Sequence, residues 1–192
     1  KAFSQPDIFT AFVKDILGID IEIDHVETEK SFDKPIGNVD SHYDLFVEDK
    51  KNRIIVDIQH KRYSDHYHRF LNYHCAALLE QSVKSSDYMP PLRVYTIVVL
   101  TAGDKHKSFM NYIDMDAKNY KHEKLNEIPH KIIFLCPKYV NQETPAEWRE
   151  WLLAIEDSLD ESVDETQYHN EYVQKILNLI AQSALTPKDY AR

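Results

Sequence analysis

Tyr43-Asp44-Leu45-Phe46-Val47-Glu48-Asp49-Lys50-Lys51-Asn52-Arg53-Ile54-Ile55-Val56-Asp57-Ile58-Gln59 is the stretch on which the reading of this chain turns. Two strand-like runs, Tyr43 to Glu48 and Arg53 to His60, flank the polar turn Asp49-Lys50-Lys51-Asn52, which predicts a hairpin. A symmetric turn centred on Lys50-Lys51 sets Asp44 directly opposite Asp57. Opposed residues point to one face with Cβ atoms roughly 4.5–5.5 Å apart, and like charges so placed destabilise a sheet. A divalent cation between the two carboxylates removes the conflict. Gln59 shares the Asp57 face, because side chains alternate along a strand. Ile54, Val56 and Ile58 make the other face apolar, which predicts a central strand with core on one side and two acids and an amide on the other. Acids on the solvated face of an ordinary hairpin remain the alternative, and a one-residue bulge would move Asp44 off the Asp57 face. Mg²⁺ suits such a site better than zinc, since it takes hard oxygen ligands and is commonly held by one or two carboxylates plus a substrate phosphate. The backbone carbonyl of Ile58 is a candidate for a further oxygen.

Outward from the hairpin, the chain alternates helical and strand patterns. Phe9, Phe12, Val13, Ile16 and Leu17 have helical spacing, and Gly18 reads as the C-terminal cap. Ile19 to Glu29 alternates apolar and polar residues and predicts a strand. Lys30 to Ser41, with Pro35 and Gly37, predicts a loop. Tyr63 to Lys84 is a long helical pattern, and Pro90-Pro91 breaks the chain before the apolar run Val94 to Leu100, a buried strand. Thr101 to Pro129 is polar. Lys131 to Cys136 is a second buried strand, stopped by Pro137, and amphipathic helices follow over Pro145 to Ile155 and about Gln167 to Ala184. This order predicts an α/β domain with a mixed central sheet flanked by helices and closed by C-terminal helices.

With 192 residues, 43% of them apolar and 29% charged, the composition is that of an ordinary globular domain. The three glycines (Gly18, Gly37 and Gly103) lie far apart, which excludes a P-loop and a dinucleotide fingerprint and hence a nucleotide cofactor held that way. No apolar run is long enough to span a membrane, and no signal peptide is visible. Cys75 and Cys136 stand alone in apolar surroundings and read as reduced thiols of a cytosolic protein. The net charge of −9 is unevenly spread: residues 1–142 carry 19 Lys and Arg against 21 Asp and Glu, whereas residues 143–171 hold ten acids and one base. Lys105, His106, Lys107, Lys118, Lys121, His122 and Lys124 make a locally basic stretch, either solvated surface or a phosphate-tracking one. His60, His66, His68 and His74 cluster around a predicted helix start, but no pair has the i, i+4 spacing of a helical zinc site.

A hairpin bearing D…(D/E)xK or D…(D/E)xQ, followed by a helix and a buried strand, resembles the PD-(D/E)xK nucleases. Tyr43-Asp44-Leu45 through Val56-Asp57-Ile58-Gln59 is similar, more closely, to the PD-(D/E)xK nuclease family transposases and the recombination-promoting nucleases, whose motif typically ends E-x-Q. Arg69 and Tyr73 match the family's R-x-x-x-Y helix, and Tyr88 with the strand after it and Trp148…Trp151-Leu152 also fit. The resemblance runs from about Phe9 to Ile155. It implies a restriction-endonuclease-like core over residues 1–142, with residues 143–192 an acidic helical extension packed on the same domain. It also implies a Mg²⁺-dependent DNA endonuclease of the bacterial cytoplasm, with Mn²⁺ a substitute, serving transposition, recombination or defence. Asp44 and Asp57 would then ligate the metal with the Ile58 carbonyl. Gln59 would orient the attacking water, because an amide does not titrate near neutral pH. Arg69, His42, Lys61 and Tyr73 would contact DNA, and a homodimer would supply two cuts.

Two departures bear on activity. Asp57 stands where the family usually has Glu, so its carboxylate reaches one methylene less far, and the chain begins after the N-terminal helical segment usual in the family. A catalytically inactive nucleic-acid-binding or protein-interaction module is therefore the competing expectation. A DDE transposase of the RNase H type would share the metal chemistry but needs a third acid on a later helix.

Overall fold

A computed structural model describes residues 2–32, 41–82, 88–159 and 165–184. The helical stripe near the N-terminus forms α1 (Pro6–Leu17), opened by a proline in its first turn and closed by Gly18 at φ 69°, where its amide donates to the Lys14 carbonyl. Six strands follow: β1 (Glu27–Ser31), β2 (His42–Glu48), β3 (Asn52–Gln59), β4 (Arg93–Leu100), β5 (Met110–Asp114) and β6 (Lys131–Leu135). The long helices are completed by α2 (His66–Leu79), α3 (Ala146–Asp157) and α4 (Glu171–Ala184).

The strands form one mixed sheet in the order β1-β2-β3-β4-β6-β5. β3, β4 and β6 run parallel, and β1, β2 and β5 are antiparallel to their neighbours. One face carries Leu45, Val47, Ile54, Val56, Ile97, Val99, Ile133 and Leu135, and it packs in one cluster with α1, α3 and α4 through Phe9, Phe12, Trp151, Leu152, Val173 and Leu177. The opposite face is covered by α2: Phe70 meets Val98, Ile132 and Phe134, and Ala77 meets Ile55, Phe46 and Val94. Each such large side chain contributes roughly 1.5–3 kcal/mol by leaving water, so both layers are needed to shield the central strands. The sequence places core on one side of β3 only; the side that holds Asp57 is core as well, because α2 buries most of it.

Four further expectations change. Ile19 to Val26 is irregular, and the strand begins only at Glu27. Ile21 is buried, while Ile19 and Ile23 rest against the α1 core, so the alternation reports one-sided burial of an extended segment without a ladder partner. The predicted loop from Lys30 accordingly starts two residues later, and its residues 33–40 lie outside the described ones. The helix over Tyr63 to Lys84 shortens to α2, preceded by a turn at Ser64-Asp65, and the Val83 and Lys84 of that pattern lie outside the described residues. The polar stretch after Thr101 contains β5, an edge strand whose Tyr112 is exposed and which therefore lacks an apolar signature. Tyr88, part of the motif set, is 87% exposed.

α2 is pinned at its C-terminal end by Arg53, which points from β3 into the layer between helix and sheet. Its guanidinium donates to the Ala77 carbonyl at 2.6 Å, meets Glu48 and Glu80 and stacks over Phe32 and Phe46. A cation suits the partial negative charge at a helix C-terminus. Deeper in the same layer, His74 binds Thr96 Oγ1 at 2.8 Å, with the ring of His130 6.5 Å away. Burial holds His74 neutral, its pKa pulled down to about 3, with the nearby His130 adding to the effect. The unfolded chain takes up this proton below about pH 6.5 and the folded one does not, so stability is present above that pH and is lost progressively as pH falls towards 3. His74→Gln, which keeps a hydrogen-bonding group near Thr96, is expected to flatten the fall in melting temperature between pH 7 and 4.5. Over this window the two pH units below 6.5 set about 2.7 kcal/mol as the ceiling of the effect. An unchanged profile in thermal melts would contradict this account.

Candidate active site

β2 and β3 pair in the expected register: Glu48 faces Arg53, Val47 faces Ile54, Phe46 faces Ile55 and Leu45 faces Val56. Counting outward, the next pair is Asp44 with Asp57, but the ladder stops one pair short of it. Two side-chain contacts take its place. The Ile58 amide donates to Asp44 Oδ2 at 2.8 Å, and the Asp44 amide lies 3.4 Å from Asp57 Oδ1. The two acids are thus brought together by mutual backbone contacts, and simple cross-strand opposition is replaced.

The same residue interrupts pairing on its other side. β1 and β2 join through Thr28 with Leu45 and Lys30 with Tyr43. The Glu29 and Asp44 between these pairs are skipped, and Glu29 sits at φ 56°, a left-handed conformation uncommon for a non-glycine residue. Alternation in β2 breaks there too, since Tyr43 and Phe46 both belong to the α2-side cluster while Leu45 and Val47 face α1. Such local departures cost about 1–3 kcal/mol each and concentrate at functional sites.

Asp44 is exposed, whereas Asp57 is 5% exposed. Burial and the neighbouring Asp44 charge push the Asp57 carboxyl up to about 7, against the opposing pull of the Asp44 amide and Arg69. Asp57 Oδ2 and Gln59 Oε1 are both buried with no hydrogen-bond partner. Gln59 Oε1 only accepts, and Asp57 Oδ2 does so once its carboxyl is ionised, so a hydrogen-bond donor or a cation satisfies them. The Gln59 carbonyl accepts from Thr101 on the β4 side. Successive carbonyls of a strand point to opposite sides, which aims that of Ile58 towards β2, beyond the end of the ladder. The resulting donor set is entirely oxygen and matches a hard divalent ion. Among the described residues no group of three or more His, Cys, Asp and Glu side chains is placed to hold a metal. Within the described residues, protein ligands beyond the two carboxylates would therefore be Gln59 or backbone.

Arg69 projects from the second turn of α2 towards this site, close enough for its charge to act on Asp57. Its guanidinium lies between the rings of Tyr63 and Tyr73, 5.6 and 5.4 Å from their centroids, and donates to Tyr73 Oη at 3.3 Å. Tyr73 is itself held, its carbonyl accepting from Tyr43 Oη at 2.8 Å. The Arg69 and Tyr73 of the motif therefore form one unit. Lys61 is exposed just past the end of β3. The symmetric register would set His42 opposite Gln59, but the β2–β3 ladder ends at Leu45 and Val56, and His42 is exposed and pairs with Ser31 of β1.

Sequence reasoning missed Tyr63 and Tyr43 as supports of Arg69 and Tyr73. Tyr63 lies six residues before Arg69, outside helical spacing, and left no signal, whereas Tyr43 was visible as a large aromatic beside Asp44. A family model described as PD-(D/E)XK nuclease family transposase matches residues 4–192. Comparison with curated proteins and with solved structures gives no match.

The raised pKa has a sign that can be tested. Folded Asp57 keeps its proton up to about pH 7 and the unfolded chain releases it near 4, so stability is greatest below 4 and falls as pH rises through 7. Asp57→Asn removes this dependence. In metal-free buffer the variant is expected to melt higher than the parent at pH 8, by at most about 4 kcal/mol, with the difference closing by pH 4. Equal or lower stability of the variant at pH 8 would show that Asp57 is not strained.

Proposed function

The chain belongs to the PD-(D/E)XK nuclease family transposases, with an α/β restriction-endonuclease-like fold, and on that premise we propose that it is a divalent-metal-dependent DNA endonuclease acting through Asp44, Asp57 and Gln59. Family membership supports a nuclease-type function. The observation that carries the finer reading is the pair of buried, partnerless acceptor oxygens, Asp57 Oδ2 and Gln59 Oε1, beside the Asp44 carboxylate. Mg²⁺, with Mn²⁺ as substitute, fits an all-oxygen site held by two carboxylates and the Ile58 carbonyl.

Such an ion supplies charge stabilisation at the scissile phosphate and makes water easier to deprotonate. The chain's own residues do the rest. Asp57 would have to be ionised to hold such a cation, so its proton would compete for the same carboxylate. Gln59 holds and orients water without acting as a base, since its amide does not ionise. Arg69, pre-aligned between Tyr63 and Tyr73, presents a bidentate fork to a phosphate of the strand being cut. Lys61, His42 and Tyr73 extend the DNA contact from the same end of the sheet. Two chains acting together, as a homodimer, would make a double-strand break, and the activity would serve transposition, recombination or defence.

The short Asp57 favours one other reading, a non-catalytic module of the same fold, and a single experiment separates the two. Supercoiled plasmid is incubated at low salt with Mg²⁺ or Mn²⁺ and with either the parent protein or Asp57→Ala. Metal-dependent nicking by the parent alone is expected. In parallel, Mn²⁺ should raise the parent's melting temperature, at about 2–4 °C per kcal/mol of binding energy, and leave the variant unmoved. Folded parent protein that binds the metal but nicks nothing would overturn the nuclease, and equal nicking by both proteins would place the activity elsewhere.

A further inference from the structure

The fold splits the basic stretch seen in the sequence between two opposite edges of the sheet. β3, β4 and β6 are parallel and in register, so Gln59, Leu100 and Leu135 end at one edge. The loop from β4 to β5 leaves and rejoins the sheet there, and it carries Lys105, His106 and Lys107, all exposed. β5 then runs antiparallel to β6, with Asp114 facing Lys131, and delivers Lys118, Lys121, His122 and Lys124 to the far edge. In that second group Lys124 is already ion-paired with Asp114, and Lys121 lies over the ring of Tyr120.

The first loop is rigidly built. Gly103, at φ 74°, lies so close to Tyr139 that a Cβ there would sit 2.8 Å from the phenol oxygen. Asp104 is 1% exposed and its carboxylate gathers the Lys105 amide at 2.7 Å, Tyr67 Oη at 2.7 Å, Asn111 Nδ2 at 3.4 Å and His66 Nε2 at 3.4 Å. Burial opposes its ionisation, yet the hydrogen bonds from Tyr67 and from the Lys105 and His106 amides, with the electrostatic pull of His66, keep its pKa below the usual carboxylate range. The Asp104 carbonyl accepts the Lys107 amide at 3.2 Å, and Lys107 is turned outward at φ 52°. His66 and Tyr67 stand in the first turn of α2, the helix that carries Arg69, so the loop is tied to the element that holds Arg69.

We infer that Lys105 and Lys107 form a second phosphate-binding element of the DNA site, flanking the scissile position contacted by Arg69. The inference rests on the nuclease reading and adds to it a binding surface and its register. The loop lies on the β6–β5 side of the sheet, up to three strand spacings from Gln59, or roughly 15 Å. Phosphates of one strand advance about 3.4 Å per nucleotide along the duplex axis, so a displacement of roughly 15 Å along that axis puts these lysines up to about four base pairs from the cut. Lys61 and Arg62, exposed at the same edge, complete a basic rim around the carboxylates. A protein partner is less well matched, because this rim presents cations on a fixed turn and its one exposed large aromatic, Tyr63, already lies against Arg69.

The test is binding of a fluorescently labelled DNA duplex, followed by anisotropy in EDTA between 50 and 200 mM KCl. EDTA prevents cutting, so the readout is independent of hydrolysis. Each lost phosphate contact lowers the slope of log Kd against log salt by about 0.9. Lys105→Ala/Lys107→Ala is expected to lower the slope by about two and to weaken binding at 100 mM KCl at least several-fold, with an unchanged melting temperature. Lys118→Ala/Lys121→Ala, at the far edge, should leave the slope unaltered. An unchanged slope in the first variant, an equal loss in the second, or a parent protein that does not bind duplex overturns the inference. A parent that binds with the expected variant pattern but never nicks plasmid would retain this surface while removing the nuclease.

Discussion

The hydrogen bond from the Ile58 amide to the Asp44 carboxylate is the constraint around which the site is arranged. A hairpin in a buried sheet is stabilised by continuing its ladder, because backbone groups hidden from water need partners. Here the ladder ends while β3 continues alongside β4, and a side chain takes over the role of the missing strand partner. The substitution satisfies the amide and orients Asp44 at the same time. It also releases the end of β3 from β2, so that Asp57, Ile58 and Gln59 present oxygen towards a shared space. The cost shows in Glu29, forced to a positive φ, and in Asp57, whose ionisation is opposed by burial and by its neighbour. Both costs sit within a few residues of the oxygens that have no partner.

That arrangement needs a rigid second wall, and α2 supplies it by being held at both ends. Arg53 locks the last turn through a backbone carbonyl and two carboxylates. The buried Asp104 locks the first turn through Tyr67 and His66. Between these anchors Arg69 has few conformations to lose on meeting an anion, which favours binding by preorganisation rather than by added contacts.

Much of this was legible in the sequence, for identifiable reasons. The hairpin register followed from a four-residue polar turn between apolar runs, and Gly18 marked a helix end because few other residues tolerate its backbone. Arg69 and Tyr73 were picked out by the motif alone, and their four-residue spacing on α2 is what brings the guanidinium to the phenol. β5 was not legible, since an edge strand carrying Asn111 and Tyr112 has no buried face of its own to advertise. Ile19, Ile21 and Ile23 misled because one-sided burial produces alternation with or without a strand partner. The Asp104 cluster was out of reach, as His66, Tyr67, Asp104 and Asn111 come together only through the sheet topology. The ladder break at Asp44 depends on a few ångströms of backbone displacement, which no pattern of residue types encodes.

Asp15 of α1 shows a different kind of economy. Its carbonyl accepts from the Trp148 indole at 2.8 Å, and its carboxylate accepts from the Trp151 indole at 2.6 Å and from Asn170 ahead of α4. These are the two tryptophans of the chain, and both lie on the α1 side of the sheet, whereas Asp57 and Gln59 face α2. Tryptophan emission, excited to the red of the tyrosine band, is therefore a private optical channel for the α1–α3–α4 layer. It follows the coming apart of that layer and stays nearly blind to ions or phosphates arriving at the carboxylates on the far side.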